Sequence, residues 1–156
     1  EVVPLGEPAR GDVVVFRLPS DPATNYIKRL VGMPGDHVVV RDKRVWINGE
    51  LQDVTLDGYS EPYGSTPRAQ IGIERLGNVE HRALYIGERP SADFDDVVPA
   101  GHFFFMGDNR DNSRDSRFPE VGYVPADNVV GKAVRIWLNW KLPNAPLWDR
   151  IGKAIH

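Results

Sequence analysis

The sequence predicts a mainly β protein, and two observations lead to this fold class. Thirteen prolines and fifteen glycines divide the chain into short runs rich in β-branched and aromatic residues, which suits many short strands and disfavours long helices. With 156 residues, 41% of them hydrophobic, the chain is long enough to bury a core. We therefore expect one β domain, or one β domain that carries a large insertion.

The candidate strands follow one another with turn residues between them. The first four are residues 13–18, 26–31, 37–40 and 45–47. The polar pair at 42–43 predicts a hairpin between the third and the fourth, and Asn48-Gly49 predicts another turn. Later candidates are residues 69–74, 79–86, 103–106 and 129–138.

The middle of the chain has weaker strand signals. Residues 51–67 are rich in Gly, Ser, Pro and acidic side chains, which indicates loose structure. The acidic cluster of Asp93, Asp95 and Asp96 is interpreted as a solvated loop. The organisation we expect has three parts: residues 1–40 as the first part of a core, 41–100 as an inserted β subdomain, and 101–156 as the second part of the core.

Composition argues against several classes of function. The net charge of -3 and the lack of a Lys/Arg tract disfavour a nucleic-acid partner. The absence of cysteine excludes disulfides, thiolate metal sites and a cysteine nucleophile. Residues 111–115 echo an EF-hand, but the central glycine and closing glutamate are missing, and nearby arginines would repel a cation. The four histidines lack ligand spacing. We predict no metal and no cofactor.

Lys28 raises the first chemical question, because it lies inside an apolar strand. Period-two alternation places it on the face of Tyr26 and Leu30, with Arg29 on the opposite face. A desolvated lysine can act as a general base near neutral pH, although lowering its pKa from about 10.4 to about 8 costs roughly 3 kcal/mol. A lysine that reaches water from an edge strand explains the same pattern, so the strand alone leaves both interpretations open.

The second feature is "GDNRDNSRDSR" at residues 107–117, which we call the polar segment. It contains three aspartates, three arginines and no aliphatic residue. Its Asp-Arg spacing suits charge-assisted pairs that hold a loop rigidly, and Ser113 or Ser116 can form hydrogen bonds inside that frame. A solvated turn is the alternative interpretation.

Three motifs together resemble the bacterial type I signal peptidases, which are membrane-anchored Ser-Lys dyad proteases. They are "RGDVVVF" at 10–16, "YIKRLVGMPGD" at 26–36 and the polar segment, in the order of that family. "ERLGNVEHR", "VVPAGHFFFMGDNRDNS" and the tail "VGKAVRIW…RIGKAIH" extend the resemblance over most of the chain, and the tail is similar to the proteobacterial branch. The resemblance implies coiled antiparallel sheets with an SH3-like barrel core and a β insertion.

The resemblance also implies roles for particular residues. Lys28 would be the general base that takes a proton from a serine hydroxyl, and Ser113 would orient the lysine amine. Without histidine, a neutral lysine can activate a serine in this way. The remaining roles are two supporting ion pairs, Asp115 with Arg117 and Asp108 with Arg29, and two substrate-pocket residues, Tyr26 and Ile27.

The sequence departs from the family at the nucleophile. The family's nucleophile belongs to a Ser-Met-x-Pro segment before the Arg-Gly-Asp strand, and these residues do not contain that segment. Ser116 has Ser-x-x-Pro spacing to Pro119, but it lies in the polar segment and no Met follows it, so we do not assign it as the nucleophile. We expect a chain truncated upstream and inactive alone; a homologue that has lost its serine is the alternative.

The resemblance implies partners and a location as well. The partners would be signal peptides of exported preproteins and the phospholipid bilayer surface, and the location the bacterial inner membrane with this domain on the periplasmic side. Trp137, Trp140 and Trp148 lie near basic residues, which suits a membrane interface as well as core packing.

Two other functions remain open. A periplasmic β-domain that binds extended peptides by strand addition would need no serine. A self-cleaving repressor would share the dyad and a related core, but the polar segment and the long insertion fit it less well, and the sequence has no DNA-binding region.

Overall fold

The structure, a computed structural model, describes residues 7–62, 68–87 and 89–133. These residues form twelve strands in three antiparallel sheets and two short 3-10 helices, at Arg110–Asn112 and Ala126–Asn128. The mainly β prediction is therefore confirmed. The strands are β1 (Val13–Leu18), β2 (Asp21–Gly32), β3 (His37–Arg41), β4 (Arg44–Ile47), β5 (Glu50–Leu51), β6 (Val54–Tyr59), β7 (Gln70–Leu76), β8 (Val79–Tyr85), β9 (Phe94–Val97), β10 (His102–Met106), β11 (Val124–Pro125) and β12 (Val129–Lys132).

The five-stranded sheet, in the order β11-β10-β2-β1-β12, has β2 at its centre. Lys28 pairs in register with Val14 of β1, and Arg29 pairs with Met106 of β10. Alternation along β2 sends Tyr26 and Leu30 into one apolar cluster, whose other members are Val14, Phe16, Leu18, Phe103, Phe105, Val121 and Val124. Because β2 is a central strand, the edge-strand interpretation of Lys28 is wrong.

The four-stranded sheet, in the order β5-β4-β3-β9, contains the predicted hairpin. Asp42 and Lys43 join β3 to β4 with positive φ angles of 47° and 70°, which a tight turn between right-twisted strands requires. Asn48 and Gly49 form the next turn in the same way, with φ of 53° and 83°. Both turn predictions are confirmed.

The three-stranded sheet, in the order β6-β7-β8, contains a strand that the composition did not predict. β6 lies within residues 51–67, and its side chains are mostly exposed, so no hydrophobic alternation marks it. The same reason explains β9, where Asp95 and Asp96 pair through their backbone with β3. The solvated-loop interpretation was wrong for these two aspartates, although both side chains are exposed.

The last predicted strand is shorter than expected over the described residues. β12 ends at Lys132 and Ala133 is not part of a strand, whereas residues 134–138 of the prediction lie outside the residues that the structure describes. Trp137, Trp140 and Trp148 also lie outside them. Within the described ranges, we find no helix of the length and hydropathy needed to cross a membrane.

Candidate active site

Lys28 lies on the central strand of the five-stranded sheet, with its amine against the polar segment. Its Nζ donates a hydrogen bond to Ser113 Oγ over 3.0 Å, and the ring of Tyr26 is 5.4 Å from Nζ. Only 5% of the residue is exposed. The contact joins residues 85 positions apart in sequence, so only the pairing of β2 with β10 brings them together.

Burial lowers the pKa of Lys28 from 10.5 to about 8, because the ammonium form loses hydration. Asp115 and Asp108 act in the opposite direction, and Arg117 adds to the lowering. At a pKa near 8, about a tenth of the amine is neutral at pH 7. A neutral amine has a lone pair, so Lys28 can accept a proton near physiological pH.

Asp115 and Arg117 hold the polar segment in shape. Arg117 donates two hydrogen bonds to the Asp115 carboxylate, over 2.9 and 2.8 Å, and a third to the carbonyl of Arg110 over 2.7 Å. The backbone N–H of Gly107 donates to the same carboxylate over 3.0 Å. Because these buried contacts join both ends of the segment, Ser113 is presented in a fixed position. The solvated-turn interpretation is therefore wrong.

Arg29 and Asp108 form a second buried ion pair on the opposite face of β2 from Lys28. Two guanidinium nitrogens of Arg29 lie 2.8 Å from the two carboxylate oxygens, and a third donates to the carbonyl of Gly11 over 2.7 Å. Burial acts to raise the pKa of Asp108, but the charges of Arg29 and His81 outweigh it and hold that pKa below its usual value. This ion pair thus joins the polar segment to β2, the strand that carries Lys28.

Gly107 provides the space in which the lysine and the serine meet. A Cβ atom at this position would lie 2.6 Å from Ser113 Cβ and 3.6 Å from Lys28 Nζ, and it would overlap Ser113 Oγ. Only glycine leaves room for the observed Ser113 position. In the sequence Gly107 is only the first residue of the polar segment, and its steric role was not predicted because the clash involves a side chain that folding places there.

Ser116 forms hydrogen bonds with the backbone of β10. Its Oγ accepts a hydrogen bond from the N–H of Phe105 over 2.9 Å, and its own N–H donates to the carbonyl of Phe105 over 3.0 Å. Ser116 is buried, and both hydrogen bonds are made with Phe105 of β10. The side chain therefore has a structural use that is separate from the Lys28–Ser113 contact.

Tyr26 and Ile27 lie on opposite faces of β2. Tyr26 is on the Lys28 face and packs with Phe16, with ring centroids 6.1 Å apart, whereas Ile27 packs in a separate cluster with Val13 and Val15. Burial and the charge of Glu120 raise the pKa of Tyr26, and Arg114 opposes them. The two predicted pocket residues are thus both close to Lys28 in sequence, but only Tyr26 shares its face.

Three buried residues to which sequence reasoning assigned no role form a network next to Asp108: Glu74 and His81 of the three-stranded sheet, and Arg110 of the polar segment. Arg110 forms a bidentate ion pair with Glu74, and His81 Nε2 contacts the same carboxylate over 2.9 Å. Glu74 and His81 lie in "ERLGNVEHR" and Arg110 lies in the polar segment, so the motifs contain all three, but only folding shows that they contact one another. Within the described ranges, no group of three or more His, Cys, Asp or Glu side chains converges as a metal site.

The fold is an antiparallel β fold that buries a lysine amine against a serine hydroxyl, an arrangement in which a lysine can serve as the base for a serine. Comparison with known proteins makes this description more specific. The profile of the family described as "Signal peptidase, peptidase S26" matches residues 2–140, and the chain belongs to that family.

Two relatives agree with this assignment, and a solved structure agrees with the fold. Signal peptidase I of Pseudomonas aeruginosa is 46% identical over 170 residues, covering 100% of this chain and 59% of that protein. Signal peptidase I of Pseudomonas fluorescens is 48% identical, over 97% of this chain and 58% of that protein. The crystal structure of a signal peptidase I from Enterococcus faecalis shares the fold, with a TM-score of 0.50 and 24% identity, covering 82% of this chain and 97% of that chain. The chain therefore spans about three fifths of the length of these two Pseudomonas relatives.

Proposed function

We propose that this chain carries the base half of a signal peptidase I active site, in which Lys28 activates a serine for cleavage of signal peptides from exported preproteins. The observation that carries the proposal is the buried Lys28 amine, 3.0 Å from Ser113 Oγ, with its pKa lowered to about 8. Membership of the family and the relatives named signal peptidase I support the reaction and the substrate class.

In the proposed reaction, the neutral Lys28 amine takes the proton of a serine hydroxyl as the serine oxygen attacks the scissile carbonyl. The resulting ammonium then gives that proton to the leaving amine, so the base returns to its neutral form. The resemblance assigns the attacking serine to a Ser-Met-x-Pro segment, which these 156 residues do not contain. Ser113 is the partner that orients Nζ.

The surrounding charges suit a lysine that must be neutral part of the time. Each nearby aspartate has its own arginine, Asp115 with Arg117 and Asp108 with Arg29. Because these pairs largely cancel, desolvation remains the largest influence on the Lys28 amine. An unpaired carboxylate in their place would stabilise the ammonium and weaken the base.

The test uses the full-length parent protein and a preprotein substrate. Replacing Lys28 with Met removes the amine at similar volume, and we expect cleavage to be lost. Lys132→Met is the matched control, since Lys132 lies on β12 of the same sheet and pairs with Asp12; cleavage should persist. An active Lys28→Met parent, or cleavage by the 156-residue chain alone, would contradict the proposal.

A second measurement separates this function from a peptide-binding module. Titration of the Lys28 amine by NMR should give a pKa well below the ordinary value of 10.5. A value near 10 would favour a domain that binds extended peptides without chemistry.

We also propose that residues 41–100 are an inserted subdomain. A separate proposal is that the chain works on the periplasmic side of the bacterial inner membrane, next to the bilayer surface. Family membership supports this location. Replacing Trp140 and Trp148 with Ala in the parent should weaken liposome binding, and unchanged binding would count against a membrane role for these indoles.

A further inference from the structure

Two residues of the three-stranded sheet form a buried network with Arg110 and Asp108 of the polar segment. Glu74 of β7 is fully buried and accepts two hydrogen bonds from the guanidinium of Arg110, over 2.9 and 2.5 Å. Burial acts to raise the pKa of Glu74, but the charge of Arg110 and hydrogen bonds from His81 and Arg110 lower it far below its usual value. Glu74 is therefore an ionised acceptor.

His81 of β8 lies between two carboxylates. Its Nε2 is 2.9 Å from a Glu74 oxygen, and its Nδ1 is 3.0 Å from the carbonyl of Arg82 and 3.5 Å from an Asp108 oxygen. These contacts hold the imidazole ring between the two carboxylates, so His81 links Glu74 to Asp108.

The network extends to both parts of the Lys28 site. Asp108 pairs with Arg29, the neighbour of Lys28 on β2, and its carbonyl accepts the N–H of Leu84 over 2.8 Å. Arg110 donates from Nε to the carbonyl of Gly107 over 3.0 Å, and Gly107 contacts Ser113. Glu74 thus holds Arg110, and His81 lies against Asp108, so the three-stranded sheet contacts the polar segment at two positions.

We propose that Glu74 and His81 are positioning residues for Lys28: by holding Arg110 and Asp108, they fix the polar segment against β2 and keep Ser113 within hydrogen-bond distance of the amine. This inference rests on the proposed function of Lys28 as a base. It gives the three-stranded sheet a part in the site, with Glu74 acting through Arg110 and His81 acting through Asp108.

The expected consequence of breaking the network is a more hydrated Lys28. With Glu74→Gln or His81→Gln, Arg110 or Asp108 loses a buried contact, the polar segment loosens, and water gains access to the amine. The groups that act on Lys28 are Asp115 and Asp108, which favour the ammonium, and Arg117, which disfavours it. Because desolvation is the largest of these influences, hydration raises the pKa of Lys28.

The experiment compares the 156-residue chain with both variants by NMR titration of the Lys28 amine, alongside thermal unfolding. We expect the pKa of Lys28 to rise by about one pH unit, a tenfold loss of neutral amine at pH 7. The matched control is Arg75→Gln with Glu80→Gln, an exposed ion pair on the same two strands, with side chains 51% and 59% exposed. In the control, the pKa of Lys28 should not move.

Activity gives the second readout, in the full-length parent. The acid limb of the kcat/KM profile should shift to higher pH in both variants, with activity recovered at alkaline pH, whereas a merely structural defect would lower activity at every pH. Folded variants with an unchanged Lys28 pKa would overturn the inference.

A measurement on the unmodified chain covers the case in which the variants fail to fold. Nitrogen NMR of His81 should show both ring nitrogens engaged in hydrogen bonds, and a ring nitrogen without a hydrogen bond would overturn the inference. These outcomes are separate from the proposed function itself, which fails instead if Lys28→Met leaves the parent active.

Discussion

The polar segment and the exposed surface of the β3–β9 strand pair contain similar charged residues in different surroundings. In the polar segment, Asp115 and Arg117 are buried and joined by two hydrogen bonds. On the outer face, His37 and Arg41 both contact Asp95, and these side chains are about half exposed or more. Exposed pairs typically contribute about 0–1 kcal/mol, whereas removing one partner of a buried pair costs about 3–5 kcal/mol. Burial, and not residue type, separates the ion pair that fixes the shape of the polar segment from the exposed ion pairs between β3 and β9.

The largest expected effect breaks a buried pair. Asp108→Ala leaves the Arg29 guanidinium buried without its carboxylate, and we expect the free energy of unfolding to fall by about 3–5 kcal/mol. Urea denaturation of the 156-residue chain measures this loss. A loss below about 1 kcal/mol would mean that the buried pair behaves like an exposed one.

The next effect concerns the buried Lys28 and depends on pH. The pKa of Lys28 is about 8 in the folded chain and near 10.5 when unfolded, so the unfolded chain binds more protons between these values. Stability therefore rises from about pH 8 to about pH 10.5, by roughly 3 kcal/mol relative to a chain without this amine. Denaturation of wild type and Lys28→Met across this range should show the rise only in wild type; parallel curves would contradict the lowered pKa.

A smaller effect tests the space between the lysine and the serine. Gly107→Ala places a methyl group where Ser113 now lies, and we expect a loss of about 1–3 kcal/mol as the segment shifts. Thermal unfolding measures the loss. Gly35→Ala is a useful comparison because a Cβ there meets no atom within 4 Å, although its positive φ of 88° adds backbone strain. An unchanged Lys28 pKa in Gly107→Ala would show that Ser113 can move without hydrating the amine.

The smallest effect comes from the exposed face. Asp95→Ala removes the partner of His37 and Arg41, and we expect a change in unfolding free energy of about 0–1 kcal/mol, reduced further by salt. Urea denaturation at low and high ionic strength checks this value. A loss as large as that of Asp108→Ala would remove the distinction between the two regions.

Local patterns were sufficient for much of the fold. Alternation along 26–31 predicted the face of Lys28, and the polar pair at 42–43 predicted the hairpin, because strand faces and tight turns depend on neighbouring residues. β6 and β9 were missed because most of their side chains are exposed, so no hydrophobic alternation marks them, and they are recognised only by their pairing with β7 and β3. The resemblance placed Ser113, Asp108 and the arginines near Lys28, and the contacts bring those residues together.

The sequence by itself determined the mainly β class, the unusual lysine within an apolar strand, and a dense polar segment that could not form an ordinary core strand. Only the tertiary structure decided that Lys28 is buried and that Gly107 leaves room for Ser113. It also decided that Glu74 and His81 contact the polar segment. The physical reason is that desolvation and steric fit depend on atoms brought from distant strands. A sequence pattern reports which face a side chain occupies, whereas the pKa of an amine depends on what covers that face.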